Sequence, residues 1–269
     1  MSEDAKSKGR DPLFVNSLER GLKVLFAFDH GYPKLKLSQI TEITGLGKSA
    51  TQRFVHTWRK LGYLEQDPQS KEYSLSPRVL GVAFNYMRSD QLVSAAMSHL
   101  VETRRTHRET INLGRRVDTD MIFIVRLPGR QMTVPSSVIG DQMPMYCTTS
   151  GRAILAMLPE QEARKVIDDS DLKELTPSTI TDPDELMAKV RQAREDGFSI
   201  AVEEGHPGLI TIGAAIQDYL GNPIAAVNFA LETKDWNADD VREQFGPVIV
   251  QVARSISESI GYFAAFRDA

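Results

Sequence analysis

Gly45-Leu46-Gly47 separates two segments that each carry helical periodicity, so the chain cannot run them as one helix. Glycine inside a helix costs roughly 1 kcal/mol against alanine and adopts left-handed backbone without strain. The spacing predicts a short helix over about Ser38–Thr44, with Ile40 and Ile43 inward, then a tight turn and a longer helix over about Lys48–Leu61. Upstream, Ser17 opens another periodic segment with Leu18, Leu22, Leu25 and Phe26 on one face, stopping near Gly31 and Pro33. Downstream, Gly62 ends the long helix. Tyr63-Leu64-Glu65 and Glu72-Tyr73-Ser74-Leu75 then predict two short strands around the polar turn Asp67-Pro68-Gln69-Ser70-Lys71. Helix, helix, turn, helix and hairpin is the order of a winged helix-turn-helix.

The long helix has two chemically distinct faces. Thr51, Phe54, Val55, Trp58 and Leu61 recur at helical spacing and predict the packed side. Lys48, Ser49, Ala50, Gln52, Arg53 and His56 fall on the other side, at the N-terminal turns that such a helix inserts into a major groove. Gln52 suits a bidentate contact to adenine and Arg53 one to guanine, while Lys48 and Ser49 suit phosphates. Lys71 in the wing turn and Arg20 in the first helix are further phosphate candidates. Exposed charge alone favours a merely solvated helix face; the ordered set of elements reverses this and favours a double-stranded DNA operator as partner. Charge distribution agrees. The whole chain is at −4, yet residues 1–90 hold 14 Lys/Arg against 10 Asp/Glu and the remainder 18 against 26.

The rest reads as a second domain. Residues 1–12 are expected to be a disordered tail, 13–76 the winged domain, 77–90 a linker helix starting at Pro77 with Val79, Leu80, Ala83, Phe84 and Met87 as its stripe, and 91–269 the second domain. A helix from Gln91 to His107 opens that domain. Alternation at Ile111 and Leu113, the run Met121–Val125, and the segments Phe198–Val202, Leu209–Gln217 and Ile224–Leu231 predict strands. Helices are expected from Thr148, from Glu160, from Asp182-Pro183 to Gly197, and from Ala238 to Tyr262. The predicted class is α/β overall: a helix-rich winged domain, a helical linker, and an α/β domain with a mainly antiparallel sheet. No apolar run approaches the ~20 residues of a membrane span. Cys147 is the sole cysteine, and no secretory h-region opens the chain, so the expectation is a cytoplasmic protein with no membrane contact.

Residues 14–88 resemble the DNA-binding domain and linker of the IclR family of bacterial regulators. The likeness rests on the stretches Val15–Leu22, Thr44–Arg53 and Tyr73–Gly81, and it continues through the second domain. Where the family usually has threonine this chain has Ala50, which removes one hydroxyl. The resemblance implies a GAF-like sensor domain whose effector pocket lies between the sheet and a helix start. The matching runs are Met143–Ala156, Gly197–Ile216 and Gly221–Ala230. It also implies a homodimer or homotetramer and no cofactor.

The expected effector is a small organic acid. Its carboxylate is placed on the N–H groups of Ser150, Gly151 and Arg152, beside Thr149, because a helix start offers free donors backed by the dipole. Family members that bind small oxoacids tend to have Asp, Cys and two Ser where this chain has Ala201, Thr211, Asn228 and Ala230. Those departures make the pocket less polar. With Met121, Phe123, Met145 and Phe229 as lining, they favour an aromatic or medium-chain acid over glyoxylate or pyruvate. Taken singly, each of these apolar residues reads better as plain core. Two other functions stay open on sequence: a small-molecule enzyme fused to a DNA-binding domain, and a protein-binding adaptor. The five histidines show no nucleophile motif, Glu203, Glu204 and His206 lack a metal-ligand spacing, and no phosphate-binding fingerprint is present.

Overall fold

The computed structural model of the chain describes residues 13–29, 31–129 and 138–262. The tail expected at 1–12 lies outside them. The chain divides into two compact units between Tyr86 and Met87, inside the expected linker.

The first unit contains α1 (Asn16–Leu25), α2 (Leu37–Thr44), α3 (Lys48–Lys60), β1 (Leu64–Gln66) and β2 (Tyr73–Leu75). Gly45 takes the left-handed conformation, φ 65°, that ends α2. Gln39 caps the start of α2 by accepting from the Lys36 N–H at 2.8 Å. The core gathers Val24, Leu35, Ile40, Val55 and Leu64, with Trp58 half-buried and donating to the Gly21 carbonyl at 2.7 Å.

That contact corrects the expected face of α1. The helix lies on α3 through Gly21 and Val24, so Leu18, Leu22 and Phe26 are exposed. Helical spacing placed those three together, but Gly21 and Val24 are the residues buried against the rest of the unit. Ile43 and Leu61, expected inward, are also exposed. A 3-10 turn, Pro77–Val79, leads into α4 (Leu80–Ser89), which buries none of its side chains within the chain.

The second unit runs α5 (Gln91–His107), β3 (Thr110–Val117), β4 (Asp120–Leu127), β5 (Gln142–Pro144), α6 (Thr149–Met157), α7 (Glu160–Asp168), α8 (Pro183–Asp196), β6 (Ser199–Val202), β7 (Leu209–Gln217), β8 (Pro223–Glu232) and α9 (Ala238–Ser259). The strands form one sheet, in the order β5-β4-β3-β8-β7-β6, with every pairing antiparallel. Local chemistry sets the helix starts. Asp90, Asp182 and Asn237 accept from the first free N–H groups of α5, α8 and α9, and Gly197 ends α8 at φ 78°.

Each sheet face packs on different helices. Ile111, Leu113, Val227, Phe229 and Ile212 meet α5 and α9 through Leu100, Phe245 and Ile249. On the other face, Met121 and Ala226 meet Ile154 and Leu155 of α6, and that layer continues to Leu186 and Val190 of α8.

A bulge breaks the alternation of β4. Leu113 pairs with Val125 but Gly114 pairs with Phe123, leaving Ile124 as the extra residue. Ile124 and Val125 therefore both join the α5–α9 side. Phe123 and Arg126, three residues apart, both reach the α6 side.

Candidate functional site

In the first unit, Lys48, Ser49, Gln52, Arg53 and His56 stand exposed on α3, and Ala50 is half-buried. Gln52, Arg53 and His56 line an open groove between α3 and the hairpin, with Thr57, Arg59 and Tyr73. The hairpin is tied to the helix. Arg59 Nη1 donates to Gln66 Oε1 at 2.9 Å, and Gln66 Nε2 donates to the Lys71 carbonyl at 3.2 Å. In the wing, the Asp67 carboxylate accepts from the Gln69 and Ser70 N–H groups. Those two donors hold it below the ordinary carboxylate range. Lys71 follows at φ 61°, exposed at the tip, and Arg20 is exposed on α1. Gln52, Arg53 and His56 of α3 thus share one open surface beside the hairpin whose turn carries Lys71.

In the second unit, a cavity of about 50 Å³ opens between the start of α6 and the sheet. One water needs roughly 10–15 Å³, so the space holds a compact ligand as it stands. Phe123, Asn112, Asn228, Thr211, Ala230 and Ala201 come from five adjacent strands and form its floor. Cys147, Thr148, Thr149 and Ser150 form one wall; Glu204, Gly205 and His206, between β6 and β7, form another. Met143 and Leu209 complete the apolar part.

Seven expected residues therefore come together: Phe123, Thr149, Ser150, Ala201, Thr211, Asn228 and Ala230. Five do not line the cavity. Phe229 lies between Asn228 and Ala230, and neighbours on a strand point to opposite faces. Its ring packs instead against Phe245 at 5.0 Å and His107 at 5.8 Å. Met121 and Met145 are fully buried in the layer beneath α6.

Gly151 and Arg152 have already used their donors. The Gly151 N–H meets Thr148 Oγ1 at 3.1 Å and the Arg152 N–H meets the Thr148 carbonyl at 3.0 Å, so two thirds of the expected carboxylate cradle is the helix's own cap. A Cβ on Gly151 would lie 2.3 Å from the Met145 carbonyl oxygen, so this glycine serves close packing of the backbone. The Arg152 side chain turns inward to Glu204.

Sequence reading missed Asn112, Arg126 and His206 on the cavity wall. Asn112 was legible: it lies between the inward Ile111 and Leu113, so alternation sends it to the opposite face. Arg126 was not, because the bulge at Ile124 resets the count. Asn112 pairs across the strands with both Arg126 and Asn228. Asn228 Oδ1 accepts from Ser150 Oγ at 3.2 Å. By contrast, Asn112 Oδ1 and His206 Nε2 are buried with no hydrogen-bond partner.

Burial pushes the His206 imidazole below its ordinary value; Asp141 opposes this and Arg126 adds to it. Burial likewise lowers Arg126, against Asp141. The Cys147 thiol is pushed up to about 12 by burial, with Arg152 pulling the other way. Among the described residues no group of three or more His, Cys, Asp or Glu is placed to hold a metal ion. Glu203 instead accepts from the Gly208 N–H, and Glu204 pairs with Arg152. No helix among the described residues is long and apolar enough to cross a membrane.

Known proteins share both units. A family profile described as the bacterial transcriptional regulator IclR C-terminal domain matches residues 84–258, and the IclR helix-turn-helix domain matches 17–68. The chain is 31% identical to the Pca regulon regulatory protein of Pseudomonas putida, over 93% of this chain and 86% of that one. An IclR transcriptional regulator from Alicyclobacillus acidocaldarius superposes with a TM-score of 0.80 at 25% identity, covering 92% of this chain and all of that one. An IclR homologue from Microbacterium hydrocarbonoxydans, solved with 4-hydroxybenzoate, shares the fold with a TM-score of 0.74 at 22% identity, covering 91% and 98%.

Proposed function

The chain belongs to the IclR family of DNA-binding transcription regulators with a C-terminal effector-binding domain, and on that premise we propose that it reads an operator with α3 and its wing and answers to a small organic acid held in the cavity at the start of α6. Gln52 and Arg53 address base edges, with Ala50 and His56 beside them; Lys48, Ser49, Lys71 and Arg20 address phosphates. The observation that carries the effector reading is the cavity itself, lined by apolar side chains and by Asn112 and His206, whose Oδ1 and Nε2 have no hydrogen-bond partner.

Phe123, Leu209, Ala201 and Ala230 support an aromatic or medium-chain acid over a two-carbon one. The likeness to the regulator of the Pca regulon and the fold shared with a 4-hydroxybenzoate-bound homologue point the same way. A dry cavity that takes benzene measures about 150 Å³, so an aromatic ring requires Met143 and the 205–206 turn to swing outward. Effector binding alters DNA affinity only by favouring one arrangement of paired winged domains over another.

Pairing itself is part of the proposal. One winged module buries little DNA surface, and symmetric operators call for two. The exposed Leu80, Val82 and Phe84 of α4 supply an apolar helix for a homodimer or homotetramer. A bacterial DNA partner places the protein in the cytoplasm. The test is a thermal-shift series of carboxylic acids on the full chain, followed by gel-shift titration of its operator with and without the acid that binds. The reading is wrong if no acid raises the melting temperature, or if DNA binding lacks the steep salt dependence of phosphate contacts.

A further inference from the structure

The start of α6 is poorly supplied with donors, because Thr148 already takes the N–H groups of Gly151 and Arg152. The sheet and the β6–β7 turn offer the cavity more. Asn112 and Arg126 are direct cross-strand partners on β3 and β4, so their Cβ atoms lie roughly 5 Å apart on one face. Asn112 is 3% exposed, and its side-chain oxygen has no partner. An amide turned over about its last torsion presents N–H₂ at the same place. His206 approaches from the β6–β7 turn with Nε2 buried and unbonded, and a neutral imidazole presents either a donor or an acceptor there. All three residues line the same cavity.

We propose that Arg126, Asn112 and His206 form the carboxylate-receiving end of the effector cavity, and that the α6 start meets only the uncharged end of the ligand. This rests on the effector reading above and names which pole of the acid goes where. A guanidinium meets a carboxylate with two parallel charge-assisted hydrogen bonds, which no single backbone N–H matches. Burial of the site strengthens that attraction relative to water. Asp141, in the turn before β5, favours the charged forms of Arg126 and His206 against the burial that lowers both. The ligand class that follows is a compact monocarboxylate, its body over Ala230, Ala201 and Leu209 and any polar tail toward Thr149 and Ser150.

The probes are benzoate, 4-hydroxybenzoate, pyruvate and the neutral benzamide, titrated calorimetrically into the full-length wild type, Arg126→Met, Arg126→Gln and Thr149→Val. Each variant is first checked for wild-type circular dichroism. Wild type is expected to prefer benzoate to benzamide by at least tenfold. Both Arg126 variants are expected to lose that preference through weaker acid binding, while Thr149→Val keeps it. Retention of the acid preference in a folded Arg126 variant, or its loss in Thr149→Val alone, puts the anion at the α6 start and overturns the inference while leaving the effector reading intact. Failure of every acid to bind wild type overturns the effector reading as well.

Discussion

Arg152 and Glu204, 52 residues apart in the chain, close on each other as a bidentate ion pair between the start of α6 and the β6–β7 turn, with the arginine wholly buried. Nη1 donates to Glu204 Oε1 at 2.7 Å, Nη2 donates to Oε2, and Nε donates to the Tyr146 carbonyl at 2.8 Å. Thr179 Oγ1 donates to the Glu204 carbonyl at 2.6 Å from outside the sheet. The pair thus clamps two walls of the cavity together.

Removing one partner leaves a buried charge uncompensated, at a cost of about 3–5 kcal/mol. Arg152→Met and Glu204→Gln should each lower the melting temperature of the effector domain sharply. The double variant Arg152→Met/Glu204→Leu should recover much of the loss, since it removes both charges. A double variant as unstable as the worse single one would show that the hydrogen bond from Arg152 Nε to the Tyr146 carbonyl matters more than the charge balance.

Gly151→Val tests backbone packing. A side chain there meets the Met145 carbonyl oxygen at 2.3 Å, so the variant should lose its folded effector domain outright instead of losing ligand affinity alone. Thr148→Ala, which removes the cap of α6 and leaves its packing untouched, should cost only about 1 kcal/mol. Thermal denaturation of the two variants separates the effects.

Cys147 should be inert in the native protein. Burial pushes its thiol up to about 12, so almost no thiolate exists at pH 8. Ellman's reagent should react only after urea is added. The unfolded chain releases this proton more readily, so the thiol's contribution to stability is full below pH 9 and declines as pH rises from there toward about 12. Rapid native labelling would show that the cavity opens to solvent.

On α3, Arg53→Ala should relax base preference at one operator position, at a cost of roughly 1–3 kcal/mol. Lys71→Ala should weaken all sequences about equally and lower the salt slope by about one. Gel-shift titrations at several salt concentrations against operator and scrambled DNA distinguish the two. Wild-type behaviour in both variants would remove α3 and the wing from the DNA interface.

Much of the architecture was legible in the chain, because its punctuation is local. Gly45 ends α2, Asp182-Pro183 opens α8 and Gly197 closes it, each by backbone conformation or capping that needs no distant partner. The polar face of α3 was readable for the same reason: helix geometry alone separates Gln52 and Arg53 from Val55. Four cavity positions, Ala201, Thr211, Asn228 and Ala230, followed from the family resemblance, and strict alternation along β8 would have excluded Phe229 while keeping Asn228 and Ala230. Other features depended on packing between segments far apart. The bulge that turns Arg126 to the α6 side arises from the pairing of β3 with β4. The exposure of Leu18 and Leu22 follows from where Trp58 lands on α1. The inward turn of Arg152 depends on Glu204, 52 residues later. Hydrophobic period and capping act over a few residues and are written in the sequence; which polar group finds which partner is decided only when the strands and helices close on one another.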